Sequence, residues 1–448
     1  MTGVRGALVV SAFVASTSVA FAEPNTRPVT FARDVAPIFQ EKCQTCHRPD
    51  SIAPMSLLTF EEVRPWARAI KSRVTARQMP PWDIVKTVGI QHFKNDRSLS
   101  DEQIDTIVRW VDNGAPMGDP KDLPAPRVWP NENVWAYAAE FGQPDVIIKS
   151  PPFAMPAHGQ DAWYHPVVET GLAEPRWVRA IEIKPSTIKG RRITHHAVAR
   201  LRQDDGFDDR DGRLSRGADG AGTPGLFMEW AVGKQGEIAR QNSGKLLLPG
   251  SKIVWDIHYH AVGEAITDSV EMALYFYPKG QEPKYRQVLG QFDAITGGRQ
   301  NLDIPPNSVS VHEAFHVMKQ AGRLENFQPH MHLRGKAMSM EAILPDGTVQ
   351  MLSHSNFQFN WHNNYVYADD AAPILPKGTV LRITAWHDNT AANKSNPDPN
   401  QWVGWGDRTV DEMAHAWVNI TYMSDEDYAA EIAKRKSQLV TTTAAVER

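Results

Sequence analysis

Two hydrophobic periods divide the chain. Between residues 26 and 120 the apolar positions recur at helical spacing. Ile104, Ile107, Val108 and Val111 follow at i, i+3, i+4 and i+7, the pattern of one helix face. Ser100-Asp-Glu-Gln103 is a capping-box signature ahead of them, and Gly114 ends the run. Asp34-Val-Ala-Pro37-Ile38-Phe39 reads as another helix start, with proline in the first turn, where its missing N–H has no helical partner to lose. After residue 150 the period becomes two. WVRAIEIKP, SKIVWDIHYHAVG, VEMALYFYP, KAMSMEAILPDG, TVLRITAW and AHAWVNITYM are short alternating runs separated by Gly/Pro turns. This is the pattern of antiparallel β-sandwiches, and the length predicts two, with a seam near residues 290–300.

The chain therefore reads as multidomain. Residues 26–120 form a small all-α domain and 121–150 a Pro- and Asp-rich linker. Two all-β sandwiches occupy 151–295 and 296–425, and 426–448 form a C-terminal tail. Composition narrows the function classes. A net charge of −4 without a basic block gives no footing for nucleic acid. Mean hydropathy of −0.42 is that of a globular chain outside the bilayer. At the N-terminus, Arg5, an apolar run of small residues and Ala20-Phe21-Ala22 form a secretory signal peptide over residues 1–22. That predicts a periplasmic or secreted protein. No other stretch is long and apolar enough to span, so no membrane span is expected in the mature chain.

The two cysteines of the chain, Cys43 and Cys46, fall in one Cys-x-x-Cys-His motif closed by His47. A C-x-x-C pair alone serves a redox dithiol or half a zinc site. The adjacent histidine, the signal peptide and the absence of a second pair select covalent haem c, with His47 as an axial iron ligand. The two helices bracketing the motif resemble the class I cytochrome c fold. Met79, in the Pro-rich loop RQMPPW, is the expected second axial ligand. Met55 and Met117 compete for that role, although both also suit a core.

Fourteen of the sixteen histidines follow residue 150, and several come in pairs. Residues two apart on a strand share a face, so His330 and His332 can grip one ion, as can His258 and His260. His195 and His196 are adjacent and need a bulge or strand end to act together. A nearby thioether would select reduced copper, and Met413, in Asp411-Glu412-Met413, could supply one. His312-Glu313-x-x-His316 matches the zincin motif, but Ser308-Val-Ser-Val-His-Glu alternates as a strand, whereas the motif needs a helix.

The order HH…HYH…HxH…DEM resembles the copper type II, ascorbate-dependent monooxygenases, the peptidylglycine α-hydroxylating and dopamine β-monooxygenase family. The resemblance covers roughly residues 150–425. It is strong in these motifs and in ITAWHDNT (383–390), and weak between them. It implies two tandem jelly-roll sandwiches. It implies an electron-transfer copper on His195, His196 and His258, and an oxygen-activating copper on His330, His332 and Met413. His260 matches a non-ligand position. Together these readings predict a small all-α cytochrome c domain followed by two all-β jelly-roll sandwiches, carrying haem c and two copper ions. The expected activity is an O2-dependent copper monooxygenase that hydroxylates a C–H bond of a small-molecule or peptide substrate. Electrons would enter through the haem from a periplasmic donor or an ascorbate-like reductant. The chain departs from the family in having no cysteine for disulfides, in carrying its own haem motif, and in matching no substrate-binding residue. A non-catalytic periplasmic electron-transfer or copper-handling protein is the alternative. A zinc hydrolase with a three-His site is a third reading.

Overall fold

The computed structural model describes residues 27–446, apart from 50, 52, 130–133, 205–224, 232–233 and 235. The segment read as a signal peptide, residues 1–22, lies outside the described residues. β-Sheet dominates, in sandwich-like pairs of sheets, and helices gather near the start.

The helices Ala36–Lys42, Ala67–Thr75 and Asp101–Asp112 share a small core that includes Phe31, Phe39, Val63, Ile107 and Trp110. Local chemistry sets their ends. Ser100 Oγ accepts from Gln103 N at 3.2 Å while Gln103 Oε1 accepts from Ser100 N at 3.0 Å, the reciprocal cap expected from the sequence. Pro37 sits in the first turn of its helix.

Residues 81–95 do not join that core. Trp82, Ile84 and Phe93 are buried in the core of the C-terminal sheets. Ile84 bridges Ser355 and Phe93 bridges Tyr367, while Val85 N donates to His354 O and Lys94 N to Val366 O. The expectation that 26–120 is one self-contained domain is thus corrected. Part of it is a strap built into the last sheets. The strap is held by aromatic contacts: Trp82 meets Tyr365 edge-on at 4.8 Å and Phe93 stacks on Tyr367 at 5.4 Å.

In the first β unit, strands Val146–Lys149, Arg176–Pro185, Ser243–Leu247 and Val270–Phe276 form one layer. Strands Ala162–Tyr164, Val167–Glu169, Thr194–Arg202, Gly225–Ala231 and Lys252–Tyr259 form the other. Ile181, Ile183, Trp255, Ile257, Met272 and Leu274 belong to their shared core. Because side chains alternate, burial of Ile253, Trp255 and Ile257 sends Val254, Asp256 and His258 to the opposite face.

In the second unit, strands Tyr285–Asp293, Ala321–Leu324, Asn326–His330 and His415–Met423 accompany the four-stranded sheet of Val309–Val317, Gly335–Ile343, Val349–Asn356 and Val380–Asp388. Phe327, Met338, Met340, Ile383 and Val418 are in its core. The units are joined by a short parallel pairing, Tyr285↔Ser243 and Arg286↔Gly244. Gln287–Asp293 pairs with His415–Thr421, so the strand assigned to the first unit by a boundary at 295 belongs to the second. The expected linker 121–150 also holds more order than predicted. It contains helix Ala138–Phe141, and Trp135, Tyr137 and Phe141 pack on Ala180, Ala273 and Tyr275. The expected tail is helix Asp425–Val446, whose Tyr428 and Ile432 pack on Ala321, Ile374 and Met423. Among the described residues, no helix is long and apolar enough to cross a membrane.

Candidate metal centre

His195, His196 and His258 form a cluster in which one ligand nitrogen from each lies within 4.8 Å of the others. The sheet explains how adjacent histidines come together. His196 is the direct cross-strand partner of His258, and the next pair is Thr194 with Tyr259. His195 is therefore the extra residue of a bulge. In regular alternation it would point with Ala197 into the core; the bulge turns it to the face of its neighbours. Its Nδ1 lies 3.1 Å from Nδ1 of His196. The third ring is held from two sides. Trp163, the cross-strand partner of His258, stacks on it at 4.6 Å. Asp161 Oδ2 accepts from His258 Nε2 at 2.9 Å, which leaves Nδ1 with the lone pair. His260 stands apart, its ring 6.3 Å from that of His195 and its backbone N–H bonded to Ile193 O.

Across the seam lies a second histidine group. Burial of Phe327 and Met331 in the core turns Gln328, His330 and His332 the other way. His332 Nδ1 donates to Asp411 O at 3.1 Å, which fixes its tautomer and frees Nε2. His330 pairs with His415 on the neighbouring strand, their rings stacked at 4.8 Å. Met413 precedes His415, the cross-strand partner of His330, by two residues. Glu412 ties these segments together: its buried carboxylate accepts from His332 N at 2.9 Å, Arg334 N at 2.5 Å and Met413 N at 3.3 Å. His387 Nε2 donates to Met413 O at 3.2 Å.

The two groups are contiguous. His362, on the segment after strand Val349–Asn356, places its Nδ1 3.2 Å from Nδ1 of His330 and its ring 6.1 Å from that of His195. Phe359 lies 6.1 Å from His195 and 6.3 Å from His332. Burial is the main cause that keeps these imidazoles neutral. It lowers His195 to about 4 and His362 and His415 to about 3, and holds His196 and His330 well below the usual histidine range. Neutral imidazole is the form that binds a metal, and nitrogen-rich clusters suit Zn, Cu, Fe or Ni. The donors present therefore fit copper.

Pair spacing in the sequence did not bring out His362, His415, Glu412 or Asp161. His415 carried a usable signal, standing two residues after Met413. His362 stands in NWHNN with no second ligand type near it.

The Cys-x-x-Cys-His motif closes helix Ala36–Lys42, with Cys43 at its C-cap. Neither cysteine is in a disulfide, both are half-buried, and burial pushes Cys43 up to about 12. His47 Nδ1 donates to Met55 O at 3.3 Å. That bond orients the ring and leaves Nε2 as the free nitrogen, as an axial ligand requires. A cavity of about 780 Å³ opens beside Cys46 and is also lined by Arg48, Trp230, Lys234, Asn326 and His362. Cys43, His47 and Met79 do not line this cavity, so the fit to a covalent haem rests on the Cys43, Cys46 and His47 motif and the free His47 Nε2. Met55 and Met117 pack against the helical core, whereas Met79 is half-buried outside it, where the chain leaves for the C-terminal sheets.

The zincin-like motif lies on strand Val309–Val317. His312 Nε2 and His316 Nε2 are bonded to the carbonyls of Asp303 and Asp293 at 3.0 and 2.7 Å.

No family model matches the chain, and no curated protein matches it. Solved structures give slight likenesses. A structure of infectious bursal disease virus Gx strain is 10% identical, covers 66% of this chain and 75% of its own, and has a TM-score of 0.18. One of the Gt strain gives 9%, 64%, 78% and 0.16. Recombinant pro-11S globulin of pumpkin gives 6%, 63%, 86% and 0.13. Likenesses this slight carry nothing about function.

Proposed function

We propose that the chain is an exported oxidoreductase carrying haem c and two copper ions. It hydroxylates a C–H bond of a small-molecule or peptide substrate with O2, using electrons delivered through the haem from a periplasmic donor. In this reading the helical region acts as a cytochrome c domain and the β units as tandem jelly-roll sandwiches. The balance is R–H + O2 + 2 e⁻ + 2 H⁺ → R–OH + H2O. Bound haem and copper supply one-electron storage and oxygen activation.

The observation that carries the reading is the histidine cluster itself: three converging imidazoles on one unit, contiguous with His330, His332 and His362 on the other. The chain's own residues have definite tasks. His195, His196 and His258 hold one copper, and Asp161 and Trp163 fix the third ring. His330, His332 and Met413 hold the other, positioned by Glu412 and His387. Cys43 and Cys46 take the haem covalently, and His47, oriented by the Met55 carbonyl, ligates its iron. Met79 is the proposed second axial ligand.

The test is copper and zinc per haem iron in the exported protein, followed by O2 uptake coupled to product. Two coppers per haem, with Met413→Ala losing hydroxylation but keeping haem reduction, is the expected result. Stoichiometric zinc, or no copper, overturns the reading. Copper with reversible electron transfer but no O2-coupled product selects the non-catalytic alternative.

A further inference from the structure

The loop 357–364, between strands Val349–Asn356 and Tyr365–Val366, carries the side chains that stand between the two histidine groups. Phe359 lies nearly parallel to His195, at 6.1 Å and 21°, and edge-on to His332 at 6.3 Å. His362 lies 6.1 Å from His195, with its ring stacked on His330 at 5.0 Å and 28°. The same loop is also cavity wall. Trp361, His362, Asn363 and Asn364 line the cavity that reaches Cys46, whereas His195, His196 and His258 do not. His362 faces both, so the loop partitions the three-His cluster from the cavity.

An irregular segment keeps one shape only if its base is held, and this base is held from the strap. Asp83 O accepts from Asn356 N at 2.9 Å, and Asp83 N donates to Tyr365 Oη at 3.3 Å, at the two residues that flank the loop. The Asp83 carboxylate reaches inside it. Its Oδ1 accepts from Gln358 Nε2 at 2.8 Å and its Oδ2 from Asn363 Nδ2 at 3.2 Å. One side chain thus ties the start of the loop to its end, through hydrogen bonds that an ionised acceptor strengthens. Asn363 Nδ2 also donates to Pro81 O at 3.3 Å. An aspartate that merely shapes a turn bonds to its own neighbours in sequence. Asp83 bonds to side chains 275 and 280 positions away.

We infer that Asp83 is a positioning residue of the metal centre: by clasping the base of loop 357–364 it sets Phe359 and His362 against the three-His cluster and keeps that cluster closed to the cavity. The inference rests on the reading of His195, His196 and His258 as a copper site and deepens it. The strap that follows Met79 then helps to shape the surroundings of a metal site on the first β unit, through a loop of the second.

The experiment uses the full haem-loaded chain, free of copper and at neutral pH. Diethyl pyrocarbonate modifies accessible imidazoles, and peptide mass spectrometry reads the rate at each histidine-bearing peptide. The variants are Asp83→Ala, the double variant Gln358→Ala/Asn363→Ala, and Phe93→Ala. The last removes aromatic contacts of the strap but none of the Asp83 hydrogen bonds. His165, whose side chain is exposed, is the internal reference. The peptide carrying His195 and His196 should be modified about tenfold faster in Asp83→Ala and in the double variant, as expected from losing two hydrogen bonds to a charged acceptor. His165 should be unchanged, and Phe93→Ala should match wild type. Wild-type rates in both clasp variants overturn the inference. Equal acceleration in Phe93→Ala also overturns it, because the effect is then general loosening of the strap. Should Asp83→Ala fail to fold, the double variant decides alone. A wild type that binds no stoichiometric copper overturns the copper reading and leaves the clasp, which is read without metal, standing.

Discussion

Replacing Glu412 with alanine should separate the two halves of the second centre. Glu412 is fully buried and accepts from the backbone N–H groups of His332, Arg334 and Met413. Two of those donors belong to proposed ligands on segments far apart in sequence. Removing the carboxylate orphans three buried donors, at about 1–3 kcal/mol each; the 3.3 Å contact is the weakest, so the gross cost is about 3–6 kcal/mol. Against this, the carboxylate is itself costly to bury. Burial pushes Glu412 up to about 7 from an ordinary 4.5, about 3 kcal/mol at about 1.4 kcal/mol per pKa unit. Alanine recovers that cost, and the net destabilisation is about 0–3 kcal/mol. Urea unfolding of the copper-free protein, followed by tryptophan fluorescence, measures it. Copper titration should show the second centre weakened by about 10–100-fold, as when a group that orients a ligand is lost, with the three-His centre unchanged. Equal unfolding midpoints and equal second-centre affinity in Glu412→Ala would refute the clamp.

Other consequences follow from the same contacts. Trp82→Ala should cost about 3–5 kcal/mol, the usual range for a buried tryptophan, because Trp82 packs on Phe93 and Tyr365. The loss should appear in the unfolding of the C-terminal sheets rather than of the helical region. Asp83 is pushed up to about 6 from 3.8, mainly by burial. Its folded form holds the proton more tightly than its unfolded form, so its contribution is present below about 3.8 and is lost as pH rises through about 6. Melting temperatures of wild type and Asp83→Asn, compared across pH 4 to 7, should therefore diverge, with the variant gaining relative stability toward the upper end. Stripping copper with a chelator should lower the melting temperature, since a ligand at about 100 times its Kd contributes about 2.7 kcal/mol. His258→Ala should reduce that difference; an unchanged one would remove His258 from the metal site.

Local patterns were legible because local physics makes them. The Ser100–Gln103 cap and the helix behind it follow from neighbours in sequence, as does the turning of His330 and His332 away from the core. The need for a bulge at His195–His196 was readable, but its place was not, because it depends on how His258 and Tyr259 pair across the sheet. The strap was hidden for a related reason. Trp82 and Phe93 look like core residues of whichever domain surrounds them, and nothing local points to Tyr365 and Tyr367 some 270 positions away. The seam was misjudged by a strand because Tyr285–Asp293 alternates as well for one unit as for the other; its pairing with His415–Met423 decides.

The contiguity of the two histidine groups depends on how the units dock, and buried charge makes that docking specific. Glu229 and Lys234 of the first unit are ion-paired at 3.3 Å, and Gln328 of the second donates to Glu229 at 2.6 Å and accepts from Lys234 at 3.3 Å. Arg240 of the first unit pairs with Glu325 and Asp369 of the second. Charges taken out of water tolerate few alternative arrangements, because a shift that unpairs one leaves it uncompensated. An apolar seam of the same area could slide by a residue; this one is pinned by Gln328, which shares a strand face with His330. The register that satisfies Glu229 is therefore the register that carries His330, and His362 beside it, toward His195. The contacts that hold the two units together and the convergence of their imidazoles are set by the same strand.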